Sequence, residues 1–203
     1  MLWFAFKPTP SLDPWETVGF LFGILWIWFL IQESPWCWPA GIVSSSVYVV
    51  FLIQSKIYGD AALNFLYVVL GILGWYWWQK GTRADSPLEI GKAGPLLLAP
   101  LLVLAAIGTL LLYPHFKAAG SDVAVADAML FCSALAAQFL QTRKRIENWP
   151  IWIVVDFAYV AVFIHKGYIP TAILTGVYGL LAIQGWIEWR RRLANRRVGH
   201  CSP

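Results

Sequence analysis

Charge is scarce in this chain. Of its 203 residues only 13% are Asp, Glu, Lys or Arg, while 59% are hydrophobic, and a soluble fold has too little polar surface to cover that much apolar area. Cysteine is rare as well. Cys37, Cys132 and Cys201 are odd in number and widely spaced, which excludes a disulfide framework, a redox pair and a thiolate metal site and leaves structural or incidental roles. His115, His165 and His200 lie in loops and at ends with no carboxylate or thiol at ligand spacing, so no metal is expected. There is no glycine loop to cradle phosphate, no Ser, His and Asp set at one depth, and no Glu and His cluster inside an apolar run. Catalysis therefore has no visible apparatus, and neither enzyme activity nor a cofactor is expected. The absence of lysine between Tyr168 and Arg190 excludes a retinal protein.

What is present is a series of apolar runs, each near the roughly 20 residues needed to cross a bilayer. Seven can be counted, at Pro14–Gln32, Trp36–Gln54, Gly59–Gln79, Gly94–Tyr113, Val123–Thr142, Trp149–His165 and Ile169–Arg190. Pro, Gly and charged residues punctuate the gaps, and no loop is long enough for a soluble domain. The start, MLWFAFKPTP, lacks the order of a cleavable signal, so the first run is expected to remain as a span. Short loops rich in Lys and Arg stay in the cytoplasm. Placing the N-terminus outside puts Lys80, Arg83, Lys92, Arg143, Lys144, Arg145 and the arginines from Arg190 to Arg197 inside, and leaves Lys7, Lys56, Lys117 and Lys166 outside. The net charge of +4 then reflects topology and anionic lipid headgroups, and nucleic acid need not be invoked.

The chain also repeats itself at an offset of 111 residues. Trp38, Pro39, Ile42, Val43, Tyr48, Val49 and Ile53 fall on Trp149, Pro150, Ile153, Val154, Tyr159, Val160 and Ile164. Ala61, Leu63, Tyr67, Leu70, Ile72, Gly74, Trp75 and Trp78 fall on Ala172, Leu174, Tyr178, Leu181, Ile183, Gly185, Trp186 and Trp189. Spans one and five match only faintly, through Glu16 with Asp127 and Phe20 with Phe131, so that pairing rests on order. Because the offset contains four spans, the halves have the same orientation and are related by an axis along the membrane normal, as in duplicated transporters. The expected fold is an all-α integral membrane protein of seven transmembrane helices, two parallel three-helix repeats joined by a linker helix (3+1+3). In residues this gives an extracytoplasmic segment 1–13, a first repeat 14–79, loops and linker helix 80–122, a second repeat 123–190 and a basic cytoplasmic tail 191–203.

Asp156 stands near the middle of span six, where a charged carboxylate costs about 2.5 to 3.5 kcal/mol on an insertion scale. Trp149, Trp152, Asp156, Tyr159 and Phe163 recur at helical spacing, so one face is an aromatic stripe interrupted by an acid. Such a face suits a flat cationic ring, through counter-charge and cation–π attraction of about 0.5 to 2 kcal/mol per contact. The alternative is a carboxyl hydrogen-bonded to a neighbouring helix that simply holds the bundle. Its repeat partner is Ser45, and that asymmetry favours a functional acid. Span three places Asn64, Tyr67, Gly71, Gly74, Trp75 and Trp78 along one side, and span seven Thr171, Thr175, Tyr178, Gly185 and Trp189. For many of the tryptophans the plainer role is the membrane interface. Asp127 is the reserve candidate.

The segments NFLYVVLGILGWYWW and ENWPIWIVVDFAYVAVFIHKGYIPTAILTGVYG resemble the PnuC family of vitamin transporters, over essentially all spans. The resemblance implies a SWEET-like fold, often trimeric, that imports nicotinamide riboside across the bacterial inner membrane by facilitated diffusion, with no fixed ion coupling. Substrate-binding positions carried over are Asn64, Trp75, Trp152 and Asp156, with Tyr178 in addition. Position 64 is commonly Gln in the family and position 156 is Asn in some members. Thiamine or another cationic aromatic vitamin is therefore the alternative cargo, and a non-transport membrane subunit the alternative class.

Overall fold

A computed structural model describes residues 14–54, 58–80, 88–165, 167 and 169–199. Segment 1–13, Lys56, Lys166, His200 and Cys201 lie outside the described residues. Seven helices follow one another: α1 Pro14–Ile31, α2 Cys37–Gln54, α3 Tyr58–Lys80, α4 Pro95–Ala118, α5 Ala124–Thr142, α6 Asn148–His165 and α7 Ile169–Gly199. A chain in lipid must satisfy its backbone internally, which is why apolar runs resolve as helices. Prolines open them: Pro14, Pro39, Pro95, Pro150 and Pro170 all sit within a first turn, where the missing N–H has no intrahelical partner to lose. α2 to α6 are each long and apolar enough to span a bilayer, and α1 contributes the shorter apolar stretch Val18–Ile31. α7 does not stop at Arg190. It continues to Gly199, so the arginines of this end are carried on a helix.

The helices pack as a ring in the order α1, α2, α3, α5, α6, α7, with α7 returning to α1. α4 stands outside the ring against α5, with no buried residue of its own. That is the position of a linker joining two three-helix units.

The units agree in detail. Trp38 meets Trp78 edge-on, with ring centroids 5.4 Å apart at 87°. At the same offset, Trp149 meets Trp189 at 5.4 Å and 90°. A Cβ on Gly74 would lie 2.5 Å from the Trp38 ring, and one on Gly185 would lie 2.3 Å from the Trp149 ring, so each indole needs its glycine. Trp78 and Trp189 then face each other across the axis at 6.1 Å. The indole N–H of Trp78 donates to the Gln141 carbonyl at 3.3 Å, and that of Trp189 donates to the Leu30 carbonyl, also at 3.3 Å. Leu30 and Gln141 are 111 residues apart. This places α1 and α5 in the repeat, the pair that the letters alone barely matched.

Candidate transport site

The buried stripe of α6 consists of Trp149, Trp152, Asp156, Tyr159 and Phe163, each at most 4% exposed. In α3 the buried positions include Asn64, Tyr67, Gly71, Gly74 and Trp78, steps of three and four that keep one face inward. The two faces meet in the middle of the ring, where Tyr67 packs edge-on against Trp152 at 6.4 Å. Asp156 lies within electrostatic reach of the hydroxyls of both Tyr67 and Tyr178. α7 passes close beside it, since a Cβ on Gly179 would be 3.5 Å from that of Asp156. No hydrogen bond joins the Asp156 carboxyl to another described residue, and the Tyr67 and Tyr178 hydroxyls are buried without a partner among the described residues.

Next to this cluster is a narrow cavity of about 30 Å³, bordered by Trp26, Trp38, Tyr48, Asn64, Tyr67 and Gln138 with small residues between them. It has room for roughly one or two water molecules, whereas small-molecule pockets run to about 300 Å³ or more. A vitamin enters only if the helices part. Nearly all of the lining comes from the first repeat, and Gln138 of α5 is the exception.

Of the five residues named from sequence, Asn64 lines the cavity. Tyr178 reaches its edge, because its hydroxyl would be 2.9 Å from a Cβ on Gly23. Trp152 and Asp156 stand directly behind Tyr67. Trp75 is not with them. It is 39% exposed, one residue and so about 100° round the helix from the buried Gly74. Thr175 is buried, while the side chain of Thr171 lies outside the described residues. Asp127 is buried at the far end of α5, accepting from the Ser121 hydroxyl at 2.5 Å. Gln138 was missed because an amide in an alanine-rich run has no period of its own. Its repeat partner, Ile27, was the available signal.

The other end of the ring is sealed on its axis. The α1–α2 and α5–α6 turns are copies, each closed by a six-to-one backbone bond, Ser34 to Phe29 and Arg145 to Leu140, both 2.9 Å. Each has a non-glycine residue in left-handed backbone, Glu33 at φ 59° and Lys144 at φ 52°, where glycine would be the unstrained choice. These two side chains pair at 3.2 Å and are 8% and 9% exposed. Lys144 also lies 4.4 Å from the centre of the Trp78 ring and donates to the Leu88 carbonyl at 2.9 Å. Arg192 and Arg196, from the extension of α7, reach Glu33 at 3.3 Å each. Burial pushes the Lys144 ammonium below its ordinary value, and the Glu33 charge opposes that shift. Among the described residues no three His, Cys, Asp or Glu side chains come together to hold a metal.

Two pseudo-symmetric helical units around a polar and aromatic centre define a multi-pass membrane transporter. The chain belongs to the nicotinamide mononucleotide transporter family, whose model matches residues 13–191. It is similar to the riboflavin/roseoflavin transporter RibM of Streptomyces davaonensis, 27% identical over 93% of this chain and 91% of that one. It is also similar to the nicotinamide riboside transporter PnuC of Neisseria mucosa, at 28% over 97% and 78%. The Escherichia coli PnuC is 23% identical over 91% and 90%. A crystal structure of the vitamin B3 transporter PnuC shares the fold, with a TM-score of 0.69 over 86% of this chain and 80% of that one, at 22% identity.

Proposed function

We propose that this protein carries nicotinamide riboside across the bacterial inner membrane by facilitated diffusion with alternating access. The observation that carries this reading is the carboxyl of Asp156, buried mid-span with no hydrogen-bonding partner among the described residues and flanked by Trp152, Tyr67 and Tyr178. A pyridinium ring would bring this carboxyl a positive charge with two flat faces. Asn64 and Tyr178 complete the binding residues, and Trp75, although half turned to lipid, stays in the set by family resemblance alone.

With the N-terminus outside and the C-terminus inside, the turn bearing Glu33 and the turn bearing Lys144 face the cytoplasm. The Trp78–Trp189 contact and the Glu33–Lys144 pair then close the cytoplasmic side, and release requires them to separate. Resemblance favours a homotrimer, and α4, which has no buried residue, has the most surface to offer another copy. Native mass spectrometry in mild detergent tests that state.

The riboflavin transporter relative supports a second reading, a neutral tricyclic vitamin. Competition uptake in proteoliposomes with nicotinamide riboside, thiamine and riboflavin ranks the cargoes. Asp156→Ala is expected to weaken nicotinamide riboside binding about 30- to 100-fold, the loss of a buried charge-assisted contact. Unchanged affinity would remove the counter-charge role, and preferential riboflavin uptake would replace the cargo.

A further inference from the structure

The positions that break the internal repeat mark where an asymmetric ligand is read. Packing uses matched residues, Trp38 with Trp149, Tyr67 with Tyr178 and Trp78 with Trp189, and a symmetric frame by itself presents the same groups twice. Several polar residues in the centre have no twin of the same kind, and among them Ser44, opposite Val155, spends its hydroxyl on the Gly19 carbonyl at 2.8 Å. Asp156 stands opposite Ser45, Asn64 opposite Thr175, and Gln138 opposite Ile27.

Gln138 has no part in the site as carried over from the family. Its side chain is 4% exposed, lines the cavity, and makes no hydrogen bond among the described residues. An amide turned toward a cavity inside a bilayer is costlier than an apolar side chain, and a helix that needed only packing would do as well with the isoleucine of the other repeat. Facing the same cavity is Asn64, whose amide nitrogen is committed to the Asp60 carbonyl at 2.9 Å. That bond uses one of the two N–H donors of the amide and leaves its oxygen to accept from the cavity, and Gln138 can supply a donor beside it.

We infer that Gln138 is a specificity-determining residue which, with Asn64, reads the paired N–H and C=O edge of a planar carboxamide or cyclic imide. The inference rests on the transport reading above and narrows its substrate class. The primary carboxamide of nicotinamide riboside has this edge, and so does the imide of riboflavin. A ring carboxylate does not, because it has no N–H and brings a second negative charge next to Asp156.

The test compares nicotinamide riboside with nicotinic acid riboside, which has the same charged ring and sugar but a carboxylate in place of the carboxamide. Riboflavin is compared likewise with its N3-methyl derivative. Binding to purified protein is followed by tryptophan fluorescence. The parent is expected to prefer the carboxamide or imide partner at least tenfold. Gln138→Leu should weaken that partner by about tenfold, the equivalent of one or two hydrogen bonds, and shrink the preference toward unity. Gln138→Met carries the same measurement if the leucine variant does not elute as a single species. Preference for riboflavin over both ribosides sinks the cargo proposed above but sustains the role of Gln138, provided N3-methylation abolishes binding. A parent indifferent within both pairs, or a Gln138 variant with the parent's preference intact, overturns the inference.

Discussion

The two three-helix units share a frame and differ in what it holds. Both stack a tryptophan on a glycine and both send an indole N–H to a carbonyl of the other unit, at matching distances. Around the cavity they diverge. The first unit has Gly41 in α2 with Trp26 of α1 packed over it, a Cβ on Gly41 lying 2.5 Å from that indole. The second unit has Trp152 at the position equivalent to Gly41 and Ala137 at the position equivalent to Trp26. The bulk has moved from one helix to its neighbour with total volume roughly kept, which packed interiors tolerate. The two units thus share the contacts that build a pseudo-twofold scaffold and differ in the residues that border the cavity.

The two turns at the closed end share a backbone and differ in the charges around it. Equal backbone geometry at Glu33 and Lys144 does not mean equal surroundings, because Glu33 has Lys144, Arg192 and Arg196 around it. Removing the acid strands a buried ammonium, whereas removing the lysine leaves the acid with two arginines. Glu33→Gln is therefore expected to lower stability by about 2 to 3 kcal/mol and Lys144→Gln by less than about 1.5. Thermal unfolding in detergent decides it, and equal losses would mean that the arginines contribute nothing.

The scaffold glycines should behave alike in the two units. Gly74→Ala and Gly185→Ala both drive a methyl into an indole, and each is expected to cost about 1 to 3 kcal/mol, the two agreeing within about 0.5. A large loss in one with tolerance in the other would contradict a shared frame. The smallest effect concerns neighbours on α3. Trp78→Phe gives up a hydrogen bond to the opposite unit and should cost about 1 kcal/mol, whereas Trp75→Phe, on a face 39% exposed, should cost less than about 0.5. Uptake with Trp75→Phe close to that of the parent would set Trp75 outside the binding residues.

Much of this molecule could be read from its letters, for identifiable reasons. Apolar runs near 20 residues have no other stable state in lipid than helices, so seven elements followed from hydropathy. The repeat at 111 was visible wherever its residues are chemically distinctive, Trp, Pro, Tyr and Gly, and nearly invisible in α1 and α5, whose shared role is to present backbone carbonyls at Leu30 and Gln141. A carbonyl has no letter. The α6 stripe could be read because its spacing is helical and its acid costly. Trp75 was grouped with the inward residues because a window of letters does not resolve the 100° that separates it from Gly74.

Hydropathy and spacing were enough to read seven helices of a multi-pass membrane protein, an internal duplication, and Asp156 as a residue that breaks it. Tertiary structure alone decided which residues share a space: that Gln138 reaches the cavity of the other unit, and that Glu33 and Lys144 meet on the axis. The reason is physical. Helical periodicity and burial are local properties written at spacings of three and four. A contact between residues more than a hundred positions apart depends on how whole helices are placed around an axis, and no local pattern records that.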